Sequence, residues 1–533
     1  MMKTKMKMMR TASFAALVVV MTTALSGWTA SSTALAAGRQ ASGGGGLPNN
    51  ELRCQHHLST PGYYSSLNGA EVADAQRSQL YPCADFLGSF TGPNQVSARM
   101  SQGSYPQSVG FINNREPGQT YLVGGDEPPA NGPVLPGPYV ARVNSTTGAQ
   151  IWRTVLDNAN VTGDWISGMN LNIETDGNIV VAWNHFVALL DPSTGRILKK
   201  ASLPTGPAGP IDGWYKHLTI APDGTLILKQ QNRPFGCTTQ GSGALISCPG
   251  AGGGPSVQAN SLMVAVNPKT LQVYDSILWP EMTAVPHTIT MFHGKIAIYG
   301  AGATNGLNKL YRYFWNPRTK KFSQDKSFVV SVLAPGQTTG DAPGILGDWV
   351  IVQTNGLPTT KAPSSVVAVN ADDPTKITRI YPLAQLPSGV TSNAPPKSAV
   401  DTENSMVYSD DFGEGITAGI KFDQSTGNMT LAWVIKAKTT CLVALVGPKN
   451  KRVAAITKVN PNATPQQLQN GTYTQQAVWL DAATGRILAQ SAFFAPNSTN
   501  ALLTPGFGGL FYYMTNQNFV ILKVTKAANA SGG

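Results

Sequence analysis

The chain has 533 residues, only 13% of them charged, and its 39 Lys and Arg against 28 Asp and Glu give a formal charge of +11 at pH 7. Ordinary soluble proteins carry about 25% charged residues. The positive excess comes with no Lys/Arg run and no basic-aromatic stripe, which excludes an electrostatic nucleic-acid binder. Beyond the N-terminus no apolar run reaches the roughly 18 residues of a membrane-spanning helix.

A chain poor in carboxylates gains little net charge on acidification and has few native ion pairs to lose. The composition therefore suits work in acid, and a mild positive excess that grows as pH falls suits an anionic ligand.

Residues 1–37 read as an export signal: Lys3, Lys5, Lys7 and Arg10 precede an apolar core from Ala15 to Leu25, and Ala34-Leu35-Ala36 supplies the small-residue cleavage pattern. The reading predicts a periplasmic or outer-surface protein, its formal charge reduced to about +7 by loss of those four cations. No Cys follows the cleavage region, so attachment to the outer membrane would be peripheral. Residues 38–100 form an N-terminal segment. Within it, Asn50 to Ser89 is an excursion bracketed by Cys54 and Cys83, which are expected to pair, as exported cysteines do. His56-His57 lack the further ligands of a metal site.

From residue 101 to 533 one pattern recurs. An apolar strand ends in Asn or Asp, a turn of the form D-x-x-T-G or a degraded version follows, and a second strand leaves it. The seven copies start at Val140, Val187, Met263, Tyr311, Val366, Gly419 and Ala477. Asp or Asn starts the turn and Gly takes the φ > 0 position. A second hairpin precedes most copies, as in IETDGNIVVAW from Ile173 and IAPDGTLILK from Ile220. Two hairpins make one four-stranded blade, and the spacing of mostly about 47 to 58 residues matches one blade per period. Seven copies, plus TPGFGGLFYYM and FVILKV near the C-terminus, predict an all-β, eight-bladed β-propeller whose last blade lacks a strand. The N-terminal segment is expected to supply it and close the ring.

Residues 230–260 break the period as a Gly/Ser/Pro-rich insertion that Cys237 and Cys248 are expected to staple. Insertions of this length cap a site, join subunits or decorate a surface.

Thr338 to Gly356, TTGDAPGILGDWVIVQTNG, reads as a hairpin turning at Gly347-Asp348. If its first strand is innermost in a blade, Asp341 faces the central channel at the mouth opposite the turn. The residue at the start of each inner strand then collects Trp165, Lys216 with His217, His287, Asp341, Lys397 and Cys441 around that mouth. Singly, each is more readily a hydrogen-bonded core residue. Together, potential cations gathered beside one carboxylate make a site for a dianion with one group able to give a proton. Cations keep such an Asp ionised at neutral pH, so a donating role implies an acidic medium. Cys441 is either a core residue or a thiol that reacts with sulfur compounds. Asp410, Asp411 and Glu414 could hold calcium, although a solvated loop is the plainer reading, and Asp126-Glu127 is as uninformative. Covalent c-type haem is excluded, because no Cys-x-x-Cys-His occurs.

The D-x-x-T-G blades resemble those of the pyrroloquinoline quinone dehydrogenase-like propellers. The adjacent Cys pair of the alcohol-oxidising members is missing, and the Trp expected after the turn survives in few blades, as Trp152 and Trp433. Within that superfamily the exported, haemless, charge-poor chain is similar to the tetrathionate hydrolases of acidophilic sulfur-oxidising bacteria. That resemblance implies hydrolysis of a small anionic polythionate to thiosulfate, sulfate and elemental sulfur in acid, without a cofactor, by a homodimer built through inserted loops. It also implies an Asp acid in a cavity at the propeller mouth, a role that falls on Asp341, with Asp325 in FSQDKSF as the second choice. Lys216, His217, His287, Lys397, Trp165 and Cys441 would bind the substrate. A quinone-dependent dehydrogenase and a noncatalytic envelope scaffold are the competing readings.

Overall fold

The computed structural model describes residue 51 and residues 61–528, apart from 107–111, 126–136, 158–163, 242–247, 249–257, 284, 303–307, 357–360, 391, 393–396 and 497–500. Residues 1–37, Cys54, His56-His57 and Asp126-Glu127 lie outside the described residues.

The recurrent turn works as its sequence implies. Asp191 accepts the N–H groups of Ser193 and Thr194 at 2.9 and 2.8 Å, and Gly195 follows at φ 73°. Degraded copies keep the shape with other residues, Leu271 at φ 59° and Lys320 at φ 55°. A left-handed residue is thus required even where glycine is lost.

Each turn joins the two outer strands of a four-stranded antiparallel blade, and the strands follow in chain order from the channel outward. Blades 1 to 7 span Ile112–Val155, Asn170–Ser202, Gly213–Leu278, Thr288–Ser331, Gln337–Ile380, Ala399–Lys436 and Ala444–Gln490. Thr504–Gly506, Leu510–Met514 and Phe519–Lys526 begin blade 8, and Asn94–Met100 completes it by pairing antiparallel with Phe519–Lys526. The inner strand of blade 8 touches that of blade 1, so the sheets close into an eight-bladed β-propeller. The inner hairpin of blade 1, Ile112–Gly124, has no counterpart among the hairpins read from the sequence.

The core lies between blades. Trp433 spans one such seam, its Nε1 donating to Ala482 O at 3.0 Å while its ring covers Gly485 in the next blade. Trp152 covers Gly195 in the same way. Cys237 and Cys248 form a disulfide. The insertion that they staple starts later than 230, because the second strand of blade 3 runs to Asn232.

The N-terminal excursion is not a surface loop. From Gly62 to Ala84 it enters the channel from the face where the inner hairpins turn, reaches toward the opposite mouth, and returns. On the inward leg, Tyr64 N–H donates to Ile173 O at 3.0 Å, and Gly69 O accepts from Ile173 N–H at 2.8 Å. On the return, Ala75 O and Ser78 O accept from Ile289 and Val400 at 2.8 and 2.9 Å, and Leu80–Tyr81 pairs parallel with the inner strand of blade 7. At the tip Val72, Ala73 and Arg77 have φ of 57°, 79° and 52°. For a β-branched residue such as Val72 this conformation is costly, and the surrounding inner strands hold it. Cys83, at the foot of this plug, is disulfide-bonded.

Candidate functional site

Lys216, His287, Asp341 and Lys397 stand four or five residues ahead of Ile220, Phe292, Leu346 and Asp401, the last paired residues of their inner strands. They therefore lie at one height in the channel, and the strands aim them differently. Lys216 is the inserted residue of a bulge, since Tyr215 pairs with Gln230 and His217 with Lys229. Asp341 sits on a larger one: Thr339 pairs with Thr354 and Gly344 with Ile351, so the chain from Gly340 to Pro343 loops out. Bulges re-aim side chains beside functional sites. Lys216 and Asp341 are the half-exposed members of the set, while His217, His287 and Lys397 are buried.

The plug tip meets this ring from inside. Arg77 pairs with Glu71 at 2.8 Å, donates from Nε to His287 O at 2.9 Å, and its own carbonyl accepts from Lys397 Nζ. Asn170 donates to the same Glu71 carboxylate at 2.6 Å. Asp74 receives the N–H and hydroxyl of Ser78, which ties off the turn. From blade 3, Lys229 Nζ reaches Thr283 O at 2.6 Å. Asp341 lies within electrostatic reach of Glu71, Arg77, Lys229 and Lys397.

Two expectations change. Where the sequence places one carboxylate in the ring, Glu71 and Asp74 join Asp341, both pushed up chiefly by burial. Nor are the histidines the cations that their positions suggest. Burial, aided by neighbouring cations, holds His217 and His287 well below the ordinary imidazole range. Lys397 is lowered by burial to about 8, against the pull of Asp341, and remains a cation in acid.

The remaining sequence candidates stand elsewhere. Trp165 donates from Nε1 to Gly241 O at 3.1 Å, anchoring the stapled insertion against blade 2. Cys441 is free and fully buried, its sulfur accepting from Thr457 N–H at 2.8 Å and its thiol raised to about 11 by burial. Asp325 is on the outer strand of blade 4, gripped by Nε and Nη2 of Arg312 at 3.0 and 2.8 Å, which places it away from the channel. Asp410, Asp411 and Glu414 are buried rather than on a solvated loop. Among the described residues no three His, Cys, Asp or Glu side chains gather as a metal site.

Other buried carboxyls bear on the medium. Burial raises Glu174 to about 8, and Glu51 and Glu414 each to about 7. A carboxyl whose folded pKa exceeds its unfolded value stabilises the fold fully below the unfolded pKa, and that stability disappears as pH rises through the folded one. From pH 8 to pH 4.5 these carboxyls thus add stability to the fold, a tenfold difference in proton affinity between the two states being worth about 1.4 kcal/mol. His217 and His287, kept neutral in the fold, subtract part of that gain below the unfolded imidazole pKa of about 6.5. Turn aspartates act oppositely: hydrogen bonds from Ser193 and Thr194 lower Asp191 to about 2, so its contribution is lost only in strong acid. Thermal unfolding is therefore expected to shift upward by several degrees between about pH 8 and pH 5, and calorimetry showing a fall over that range would contradict these assignments.

No family model matches the chain, and no curated protein does. Solved structures do. Over 88% of this chain and 83% of the other, it superimposes on the quinohemoprotein alcohol dehydrogenase of Pseudomonas putida HK5 with a TM-score of 0.50 at 8% identity. The quinohemoprotein alcohol dehydrogenase of Comamonas testosteroni gives 0.48 at 10% identity, covering 91% of this chain and 86% of that one. A europium-containing methanol dehydrogenase gives 0.48 at 9%, covering 89% and 91%. The chain has the eight-bladed propeller fold of the quinoprotein dehydrogenases, and identity this low carries the likeness no further than the fold.

Proposed function

We propose that the chain is an acid-working hydrolase of a small dianion with a sulfur–sulfur bond, tetrathionate being the substrate that best suits the site. The observation that carries this reading is Asp341, looped out of its strand and half-exposed, at the height of Lys216 and Lys397 and within reach of Arg77. Fixed cations offset the two sulfonate charges, and a carboxylic acid among them supplies the proton that the leaving group needs.

Tetrathionate and one water become thiosulfate, sulfate, one sulfur atom and two protons. In the first step the central S–S bond breaks, its electron pair leaves with the thiosulfate sulfur, and Asp341 protonates that sulfur. Water then adds to the sulfonate sulfur of the other fragment, elemental sulfur departs, sulfate forms, and the acidic medium reprotonates Asp341. Oxidised and reduced sulfur both come from the substrate, so the chemistry calls for no external oxidant.

Chemistry on a bound quinone is the alternative that the fold suggests. The residues present do not fit it. Among the described residues no three His, Cys, Asp or Glu side chains gather as a metal site, the chain has no adjacent Cys pair, and the plug tip lies against the inner strands. Purified protein given tetrathionate at about pH 3 is expected to release thiosulfate with no addition. Dye reduction by alcohols after adding the quinone and calcium, without thiosulfate release, would overturn the proposal.

A further inference from the structure

We infer that Arg77, carried into the channel by the N-terminal plug, is a substrate-binding residue whose Nη1 edge holds a terminal sulfonate of the anion attacked beside Asp341. This rests on the functional reading above and adds to it a binding group from outside the blades.

The guanidinium is 1% exposed and held on three sides. Its Nε donates to His287 O at 2.9 Å, and its Nη2 donates to Glu71 at 2.8 Å and to Thr219 Oγ1 at 3.3 Å. Plug, blade 3 and blade 4 therefore fix its plane. Nη1 alone is buried without an acceptor among the described residues. Native interiors rarely leave such a donor unmet, and a side chain pinned through its other nitrogens cannot swing to find a partner. An oxygen brought by a ligand answers the need. Nη1 carries two N–H groups in the fixed guanidinium plane, and a sulfonate, with several equivalent oxygens, can accept from them.

The neighbouring lysines are differently employed. Lys229 spends a donor on Thr283 O, and Lys397 donates to the carbonyl of Arg77 itself. Burial holds Lys229 well below the ordinary lysine range and Lys397 braces the plug, whereas Arg77 keeps the two N–H groups of Nη1 in reserve. Glu71 holds that fork in place, with Asn170 bracing the carboxylate from blade 2.

The test measures the tetrathionate-induced shift in melting temperature at acid pH, together with KM and kcat, for the wild-type chain, for Arg77→Lys, and for a joint Arg77→Met and Glu71→Leu replacement. The joint replacement keeps the plug packed by exchanging a buried ion pair for apolar volume. Wild-type protein is expected to melt higher with tetrathionate. In Arg77→Lys, which keeps the charge and loses the fork, KM is expected to rise about 10- to 100-fold while kcat changes far less. In the joint replacement the ligand-induced shift is expected to vanish. Wild-type KM and an undiminished shift in both variants would overturn the assignment, as would a wild-type chain that tetrathionate does not stabilise. A wild-type chain that is stabilised by tetrathionate but never hydrolyses it defeats the hydrolase reading alone, and the variants' shifts then decide on Arg77.

Discussion

Replacing Asp341 by Asn is expected to lower kcat for tetrathionate hydrolysis by about 100- to 10,000-fold, the range that a positioned general acid contributes. The two side chains have nearly the same shape, and Asn keeps an oxygen to accept the Ala342 N–H that Oδ1 of this carboxylate accepts at 2.7 Å. The bulge at Gly340 to Pro343 is also held from outside the side chain: Gly340 N–H donates to Gln353 O at 3.0 Å, and Pro343 O accepts from Thr288 Oγ1 at 2.5 Å. Fold and KM are therefore expected to stay near those of the wild type. Steady-state kinetics beside a melting curve check this, and retained turnover would move the acid to another residue.

Glu71→Ala is expected to cost about 3–5 kcal/mol of stability at neutral pH, the usual penalty for removing one partner of a buried ion pair. Glu71 offsets the fully buried charge of Arg77 and accepts from Asn170, and its N–H donates to Asn172 Oδ1 at 2.7 Å. With the carboxylate gone, the guanidinium lies among the lysines of blades 3 and 6 without the counter-charge of Glu71. Glu71→Gln keeps an acceptor for Asn170, and burial already raises the Glu71 carboxyl toward its neutral form, so this variant is expected to be mild in acid. Denaturant unfolding of both separates the readings: equal, small effects would mean that the pair does not hold the plug.

What could be read from the chain follows from which interactions are local. The blades were legible because each outer turn writes its hydrogen bonds into consecutive residues, as Asp191 to Gly195 do. The missing strand was legible as a deficit, which Asn94–Met100 fills. The plug was not. It is fastened through backbone groups of the inner strands, which any side chains would offer, and its tip runs through left-handed residues that carry no glycine or asparagine. Glu71 and Arg77 therefore escaped notice, although a strand-poor segment holding charges inside a stapled excursion was a usable sign.

Lys229 was missed for a different reason. Choosing only the residues at the start of inner strands leaves out their neighbours on the second strand, where Lys229 pairs with His217. The same choice included Trp165 and Cys441. Trp165 lies ahead of the inner strand of blade 2, which begins at Asn170, and reaches the insertion instead. Cys441 has the right height, but its sulfur turns toward Thr457 within the blade. The histidine charges failed on burial, which spacing along a chain does not reveal.

The most direct test of the account is the dependence of kcat/KM for thiosulfate release from tetrathionate on pH between about 2 and 7. A proton given by a carboxyl at the channel mouth predicts a rate that is high at the acid end and falls tenfold per pH unit once that carboxyl ionises. A rate that is flat across the range, or that climbs toward neutrality, would contradict it.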